Sequence, residues 1–295
     1  MLAIQTLMVA DGCNLSCSYC WYETGSARYV NTDVTPADYA RWFDRCDRAG
    51  SPVEGISLTG GEPLLRPDFV ELLDVCSRVA PTAVFTNGML LEGAKLAKIV
   101  EVGAEVHVSI DHVSPTVADR VRGGTRATMA GIARMAEAGV ERGQLCMVVT
   151  AQNWRDVENV GALARLHEYG LELIPVAVPR AHPLSLAGLP GPDREELCSL
   201  VSASAPVQER PVHYQRFLRH LRTLLPPRAS SCRTASTGIF VNADGTAYLC
   251  PQRTGEPLGN VLTSSPAEIL QTKETMMAAH RPGPCVTLDC LVLAG

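Results

Sequence analysis

The 295-residue chain has no run of ~18 consecutive apolar residues, the length a membrane-spanning helix needs. No basic segment precedes its first apolar run, AIQTLMVA, so no secretory signal is expected. Its seven histidines form neither an HxH nor an HExxH pattern, which removes the usual sequence grounds for a mononuclear metal site. The three cysteines near the start have no second cysteine pair close behind them, as a zinc knuckle would. The formal charge of −5 argues against a nucleic-acid partner and suits a cationic ligand.

What the sequence does have is enough apolar content, 46%, for one barrel-sized core of ~200 residues and a small extension. Apolar runs alternate with helical patterns. A strand over residues 3–9 feeds a cysteine-bearing loop. A helix then opens at Thr35 as N-cap with Pro36 in its first turn. Strand VEGISL ends at Thr59, a helix runs from Asp68 to Val79, and strand TAVFTNG follows. Helix LEGAKLAKIVEVG, strand EVHVSID, a helix over 127–138, strand QLCMVVT, a helix over 157–169 and strand LELIPVAV complete the series. Strands separated by ~10–15-residue helices predict parallel βαβ units. Residues 179–192, rich in proline and glycine, read as a loop over the mouth of the sheet. A short helix over 193–201 and an amphipathic helix, HYQRFLRHLRTLL, come next. Arg216, Arg219 and Arg222 on the latter read as a solvated face. Pro226 and Pro227 mark a domain boundary.

Eleven cysteines without a secretory signal point to metal binding and a reducing cytoplasm rather than to disulfides. Cys13, Cys17 and Cys20 stand at a CxxxCxxC spacing, which offers three thiolates to an iron–sulfur cluster and leaves one iron open for a cosubstrate. Further polar groups close the next three strands. They are Thr59-Gly60-Gly61-Glu62-Pro63, then Thr86-Asn87-Gly88, then Ser109-Ile110-Asp111. The glycines permit a close backbone approach, and Glu62 offers an acceptor. Asn87 and Asp111 are equally able to cap the helices that follow.

This set resembles the radical S-adenosylmethionine (SAM) enzymes. The resemblance implies an α/β fold, a six-stranded partial (β/α) barrel of the TIM type, with chemistry at the C-terminal ends of the strands. It implies a [4Fe–4S] cluster on Cys13, Cys17 and Cys20 that chelates SAM and reduces it to a 5′-deoxyadenosyl radical. Gly60, Gly61, Glu62 and Pro63 would receive the SAM amino group. Asn87, Ser109 and Asp111 would contact its ribose and carboxylate, and Tyr19 would lie beside adenine. An external one-electron donor such as flavodoxin or ferredoxin is implied as a partner.

The tail carries a second pattern. Cys232 and Cys250 flank Gly245 in a C-x12-G-x4-C arrangement around an Ala-Asp-Gly hairpin turn, followed by Leu258-Gly259-Asn260-Val261 and by Cys285 and Cys290. It resembles the SPASM/twitch extension of radical SAM enzymes. The resemblance implies a second [4Fe–4S] cluster on Cys232, Cys250, Cys285 and Cys290, although the last two are farther apart than twitch pairs usually are. The expected organisation is a barrel over 1–200, a connecting helical segment over 201–231 and an auxiliary-cluster domain over 232–295. Cys46, Cys76 and Cys198 fall on helices and read as small buried hydrophobes. Cys146 falls on a strand that lines the barrel.

A bare barrel plus twitch is similar in build to aminoglycoside-tailoring enzymes. That resemblance, with the acidic charge, implies a cationic aminoglycoside-type substrate and epimerisation, with a cysteine returning hydrogen to the substrate radical. Cys250 is the first expectation for that donor and Cys146 the reserve. The alternatives are a dehydrogenase acting on an aminocyclitol or sugar alcohol and, less favoured because the chain starts on strand one, a peptide-modifying SPASM enzyme.

Overall fold

Strands joined by crossover helices pair in parallel, with the helices packed over the sheet. In the computed structural model, which describes residues 1–20, 33–115, 121–204, 211–224, 237–251 and 254–279, the six apolar runs do this. β1 (Ile4–Ala10), β2 (Gly55–Gly60), β3 (Thr82–Thr86), β4 (Glu105–Ser109), β5 (Gly143–Val149) and β6 (Gly170–Pro175) lie side by side in chain order. Each is parallel to the next. The crossovers carry α1 (Pro36–Arg48), α2 (Phe69–Val79), α3 (Gly93–Val102), α4 (Thr125–Glu137) and α5 (Val157–Leu166). The result is a mixed α/β fold of the partial-barrel type whose sheet does not close. No helix among the described residues is long and apolar enough to cross a membrane.

Alternation decides what each face of the sheet does, because successive strand side chains point to opposite sides. Leu58, Val84, Val106, Val108, Leu145 and Leu173 are wholly buried in the core shared with the helices. The alternate positions, among them Thr59, Phe85, His107, Ser109, Cys146 and Glu172, take the inner face. Helix α1 seals the outside of β1 with Tyr39, Trp42, Phe43 and Cys46. Trp42 Nε1 donates to Gln5 Oε1 at 2.9 Å, which satisfies both buried groups. Cys46, Cys76 and Cys198 are buried on helices as expected, and burial pushes the Cys46 thiol up to about 12.

After β6 the chain forms α6 (Gly191–Ser204) and α7 (Pro211–Thr223), each longer or earlier in start than its sequence pattern suggested. Arg219 and Arg222 are exposed on α7, in keeping with a solvated face. The tail hairpin, β7 (Gly238–Val241) and β8 (Thr246–Tyr248), does not stand apart. β7 pairs in parallel with β1, Ile4 opposite Gly238 through Leu7 opposite Val241, so that β7, β8 and β9 (Gly259–Asn260) extend the barrel sheet to nine strands. Gly245 holds φ +84° in the hairpin turn, the left-handed region that glycine enters without strain. Buried Lys273 on α8 (Pro266–Ala279) stitches the ends together, donating to the Met1 carbonyl at 2.9 Å and the Gly238 carbonyl at 2.7 Å.

Thr35 and Asp38 form a reciprocal capping box at the start of α1. Thr35→Ala is expected to lower stability by about 1 kcal/mol, read as a lower urea midpoint at unchanged slope.

Candidate functional site

The cysteine loop begins where β1 ends, and it is pinned by backbone before any side chain takes part. Gly61 N–H donates to the Ala10 carbonyl at 2.7 Å, and Glu62 N–H to the Gly12 carbonyl at 2.9 Å. A Cβ on Gly60 would sit 2.2 Å from the Ala10 oxygen, and one on Gly61 2.2 Å from the Gly12 oxygen. The glycine pair therefore admits the backbone of the cysteine loop itself, the close approach that the sequence allowed for. Buried Arg66 braces the same turn through the carbonyls of Val9 (2.9 Å) and Val34 (3.1 Å). Its remaining hydrogen bonds go to Asp68 at 2.7 Å.

Farther along the loop, Ser18 N–H donates to the Val121 carbonyl at 2.8 Å, and the Cys17 thiol points to the Arg122 carbonyl at 3.8 Å. Leu15 N–H reaches Cys13 Sγ at 3.4 Å. Cys13, Cys17 and Cys20 are close enough to feel one another's charge. Burial pushes the Cys17 thiol up to about 11 against the pull of Arg122, and burial likewise raises Cys13. Three thiols on one loop, an N–H aimed at one sulfur and a guanidinium acting on another fit an anionic cluster with three protein ligands.

Glu62 is wholly buried and fully engaged. Its carboxylate accepts from Thr86 Oγ1 at 2.7 Å, Leu64 N–H at 3.0 Å and Asn87 N–H at 2.8 Å. Burial raises its pKa, and these hydrogen bonds only partly offset the rise. Pro63 follows in a short 3₁₀ turn. The Asn87 side chain donates to Asn14 Oδ1 at 2.7 Å and accepts from Met89 N–H at 3.0 Å, so it ties the β3 end to the cysteine loop instead of capping α3.

Asp111 is engaged in the same way. Its Oδ1 accepts from Val148 N–H at 2.9 Å, while Oδ2 takes the Tyr19 hydroxyl and Arg122 Nε at 3.0 Å. The Arg122 guanidinium also lies 5.5 Å from the centre of the Tyr19 ring. Tyr19, Asp111 and Arg122 thus form one unit beneath Cys17. Arg122 was not singled out from sequence; its signal was an arginine immediately ahead of the Gly123-Gly124 step. Ser109 closes β4 opposite Cys146 of β5.

The inner face carries a second group that sequence did not assemble. His107 Nδ1 lies 3.5 Å from Cys146 Sγ and 3.6 Å from Glu172 Oε2, and Sγ lies 3.6 Å from the same oxygen. His107 Nε2 meets Glu105 Oε1 at 2.8 Å, and its ring stacks on Phe85 with centres 4.2 Å apart. Burial alone would lower the His107 pKa, but hydrogen bonds with Cys146, Glu105 and Glu172 outweigh it and raise it to about 11. A scan for HxH patterns misses this group because three strands contribute to it.

Cys250 is buried and outside any disulfide. It follows β8 two residues past Tyr248, which pairs with Phe240, itself level with Thr6 of β1. The chain there runs toward the end of β1 opposite the cysteine loop, which counts against Cys250 as a group acting at the mouth of the sheet. Cys232, Cys285 and Cys290 lie outside the described residues.

Two predictions follow from the loop. Gly61→Ala drives a Cβ into the Gly12 carbonyl, so iron bound at the N-terminal cysteines is expected to drop well below wild type in anaerobic iron analysis, while Gly188→Ala, with open space around it and no left-handed backbone, leaves it unchanged. Because the half-buried Cys13 and Cys17 thiols hold their protons, iron must displace them. Thiolate population rises roughly tenfold per pH unit below the thiol pKa, so cluster assembly should accelerate from about pH 7 to about pH 9; a flat rate would contradict this.

A model described as the Radical SAM superfamily matches residues 7–164. The AdoMet-dependent heme synthase of Oleidesulfovibrio alaskensis is 32% identical over 168 residues, which is 53% of this chain and 42% of that protein. The chain spans about half the length of the curated relatives it matches, from 41% to 64% for the first three. Among solved structures, Streptococcus suis SuiB bound to S-adenosylmethionine superposes with a TM-score of 0.70 at 15% identity, covering 91% of this chain and 65% of that one. BtrN in complex with AdoMet and 2-DOIA gives a TM-score of 0.53 at 15% identity, covering 94% and 86%. These likenesses at low identity speak to the fold. The family match takes in the cysteine loop and the ends of strands β1 to β5, more than half of the chain, and on that ground the protein belongs to the radical SAM superfamily.

Proposed function

We propose that this enzyme takes a hydrogen atom from a carbon of a small amine-bearing sugar or cyclitol, of the aminoglycoside class, and inverts that centre by returning hydrogen from a thiol. Cys13, Cys17 and Cys20 would hold the SAM-binding [4Fe–4S] cluster. When bound, the cluster and SAM supply a 5′-deoxyadenosyl radical. The segment Gly60–Pro63 would set the cosubstrate's amino end through its contact with the cysteine loop, with Tyr19, Asn87, Ser109 and Asp111 around the remainder. Cys232, Cys250, Cys285 and Cys290 would hold an auxiliary cluster, and an external flavodoxin- or ferredoxin-type donor would supply electrons.

The observation that carries the inversion reading is a thiol on the inner face, Cys146, whose strand position pairs with Ser109 at the mouth of the sheet. The net charge of −5 suits a cationic substrate. The register of β8 runs Cys250 away from the mouth of the sheet, which favours Cys146 over Cys250 as the donor. A second reading, oxidation of the same carbon, draws on the likeness to BtrN, solved with the small molecule 2-DOIA.

Anaerobic incubation with SAM, a reductant and candidate aminoglycosides in deuterated water separates these readings. Inversion gives product with one solvent deuterium at the inverted carbon, whereas oxidation gives a ketone without it. Reconstitution should approach eight irons per chain for two clusters; about four would remove the auxiliary cluster. Cys250→Ala should lose auxiliary iron while the product of any residual turnover still carries deuterium.

A further inference from the structure

We propose that Cys146, His107 and Glu105 form the hydrogen-donor site, in which Cys146 gives its hydrogen atom to the substrate carbon and His107, held by Glu105, restores the proton to the sulfur. This deepens the inversion reading and rests on it.

The three side chains come from neighbouring strand positions on the inner face. Cys146 Sγ faces His107 Nδ1 at 3.5 Å, the separation of a hydrogen bond to sulfur. The opposite ring nitrogen is held at 2.8 Å by Glu105, which is itself anchored by Arg142 at 2.7 Å. A carboxylate on one imidazole nitrogen fixes the ring and directs the other nitrogen at its partner, the logic of a nucleophile, base and orienter. Stacking on Phe85 fixes the plane of the ring. Glu172 Oε2, 3.6 Å from both Sγ and Nδ1, braces the pair from β6.

Cys146 is only 4% exposed. Its backbone carbonyl accepts from Ile110 N–H at 2.9 Å, between Ser109 and Asp111, which places the thiol's strand beside the end of β4 where the cosubstrate contacts are expected. The remaining described thiols outside the cysteine loop are differently placed: Cys46, Cys76 and Cys198 are buried on helices, and Cys250 lies toward the far end of β1.

The step balances as follows. The S–H bond of Cys146 breaks homolytically and a C–H bond forms, which leaves the substrate closed-shell and a sulfur radical on the protein. One electron from the external flavodoxin- or ferredoxin-type donor reduces the sulfur radical to thiolate. The imidazolium Nδ1–H of His107 then protonates the thiolate, and neutral His107 recovers a proton from water when product leaves. Without His107 the first hydrogen transfer is intact, because the thiol is already loaded; what suffers is the reloading.

The test uses the reconstituted full chain with SAM, reductant and the substrate found to turn over. Cys146→Ser keeps the shape but replaces the thiol with an O–H too strong to yield its hydrogen atom. It should retain iron and SAM cleavage and form no deuterium-labelled inverted product. His107→Gln should give a first turnover of one labelled product per chain at close to the wild-type rate, followed by a steady-state kcat lower by ~100-fold, the usual scale of a lost general acid, with KM little changed. Unaltered labelling in Cys146→Ser would overturn the donor assignment. Equal first and later turnovers in His107→Gln would overturn the part given to the histidine. If wild type instead releases a ketone with no solvent deuterium, the inversion reading itself has failed and the donor role falls with it. Should His107→Gln not retain iron, Glu105→Gln, which alters only the orienting carboxylate, must show the same burst followed by slow turnover for the proposal to stand.

Discussion

The site depends on one contact between two pieces of backbone. The last residue of β2 and the one after it are glycines because the carbonyls of Ala10 and Gly12 occupy the space where side chains would be. Close packing of main chain on main chain positions a loop more tightly than side-chain contacts do, since it removes rotamer freedom and leaves only the peptide planes to adjust. Everything that bears on the cysteines then follows in order. The Glu62 carboxylate is buried directly behind this contact and gathers the ends of β3 and the 3₁₀ turn around itself. Asn87, whose N–H donates to Glu62, reaches back through its side chain to Asn14, inside the cysteine loop.

A buried carboxylate with three donors and no formal counter-charge among them is costly unless all its acceptor sites are used. Glu62 and Asp111 each accept three hydrogen bonds, and in both cases one donor is a backbone N–H from a neighbouring strand. Each is thus a strut between strand ends before it is anything else. Asp111 differs in having Arg122, whose charge it shares with the Tyr19 hydroxyl and the Cys17 sulfur. That guanidinium is the electrostatic counterpart of the cysteine loop. It offsets burial at thiols that must become anionic to ligate iron, and it keeps the Tyr19 ring in a fixed plane next to the cysteine on either side of it.

The strand and helix order was legible because each element obeyed its own local rule: apolar strands bounded by glycine or polar turns, and helices with a visible start such as Thr35-Pro36. The cysteine loop and the polar strand ends were legible for the same reason, since their residues are contiguous. Contacts that join distant segments through the sheet were not. The parallel pairing of β7 with β1 links residues more than 230 positions apart, and nothing in GIFV distinguishes a partner for β1 from a hairpin strand standing alone. The displacement of Cys250 toward the far end of β1 is a consequence of that pairing and could not be read without it. Likewise His107, Cys146 and Glu172 sit on three different strands and belong to no contiguous motif.

Polar residues at alternate positions are nevertheless what separates the two faces of the sheet. A strand covered on both sides by hydrophobic packing has no reason to carry histidine, cysteine or glutamate at an alternate position, because each costs desolvation and must find a partner. On β4, β5 and β6 the outward positions are Val106, Val108, Leu145, Leu173 and their like, and the polar residues fall only between them. The period of two therefore marks the inner face as a surface built to meet something other than protein, and the mutual pairing of His107, Cys146 and Glu172 is what lets such a surface remain stable in its absence. Their engagement with one another and with Glu105 at the foot of β4, with Ser109 next on the same face, runs the polar lining from one end of the strand to the other on side chains held in place by the sheet.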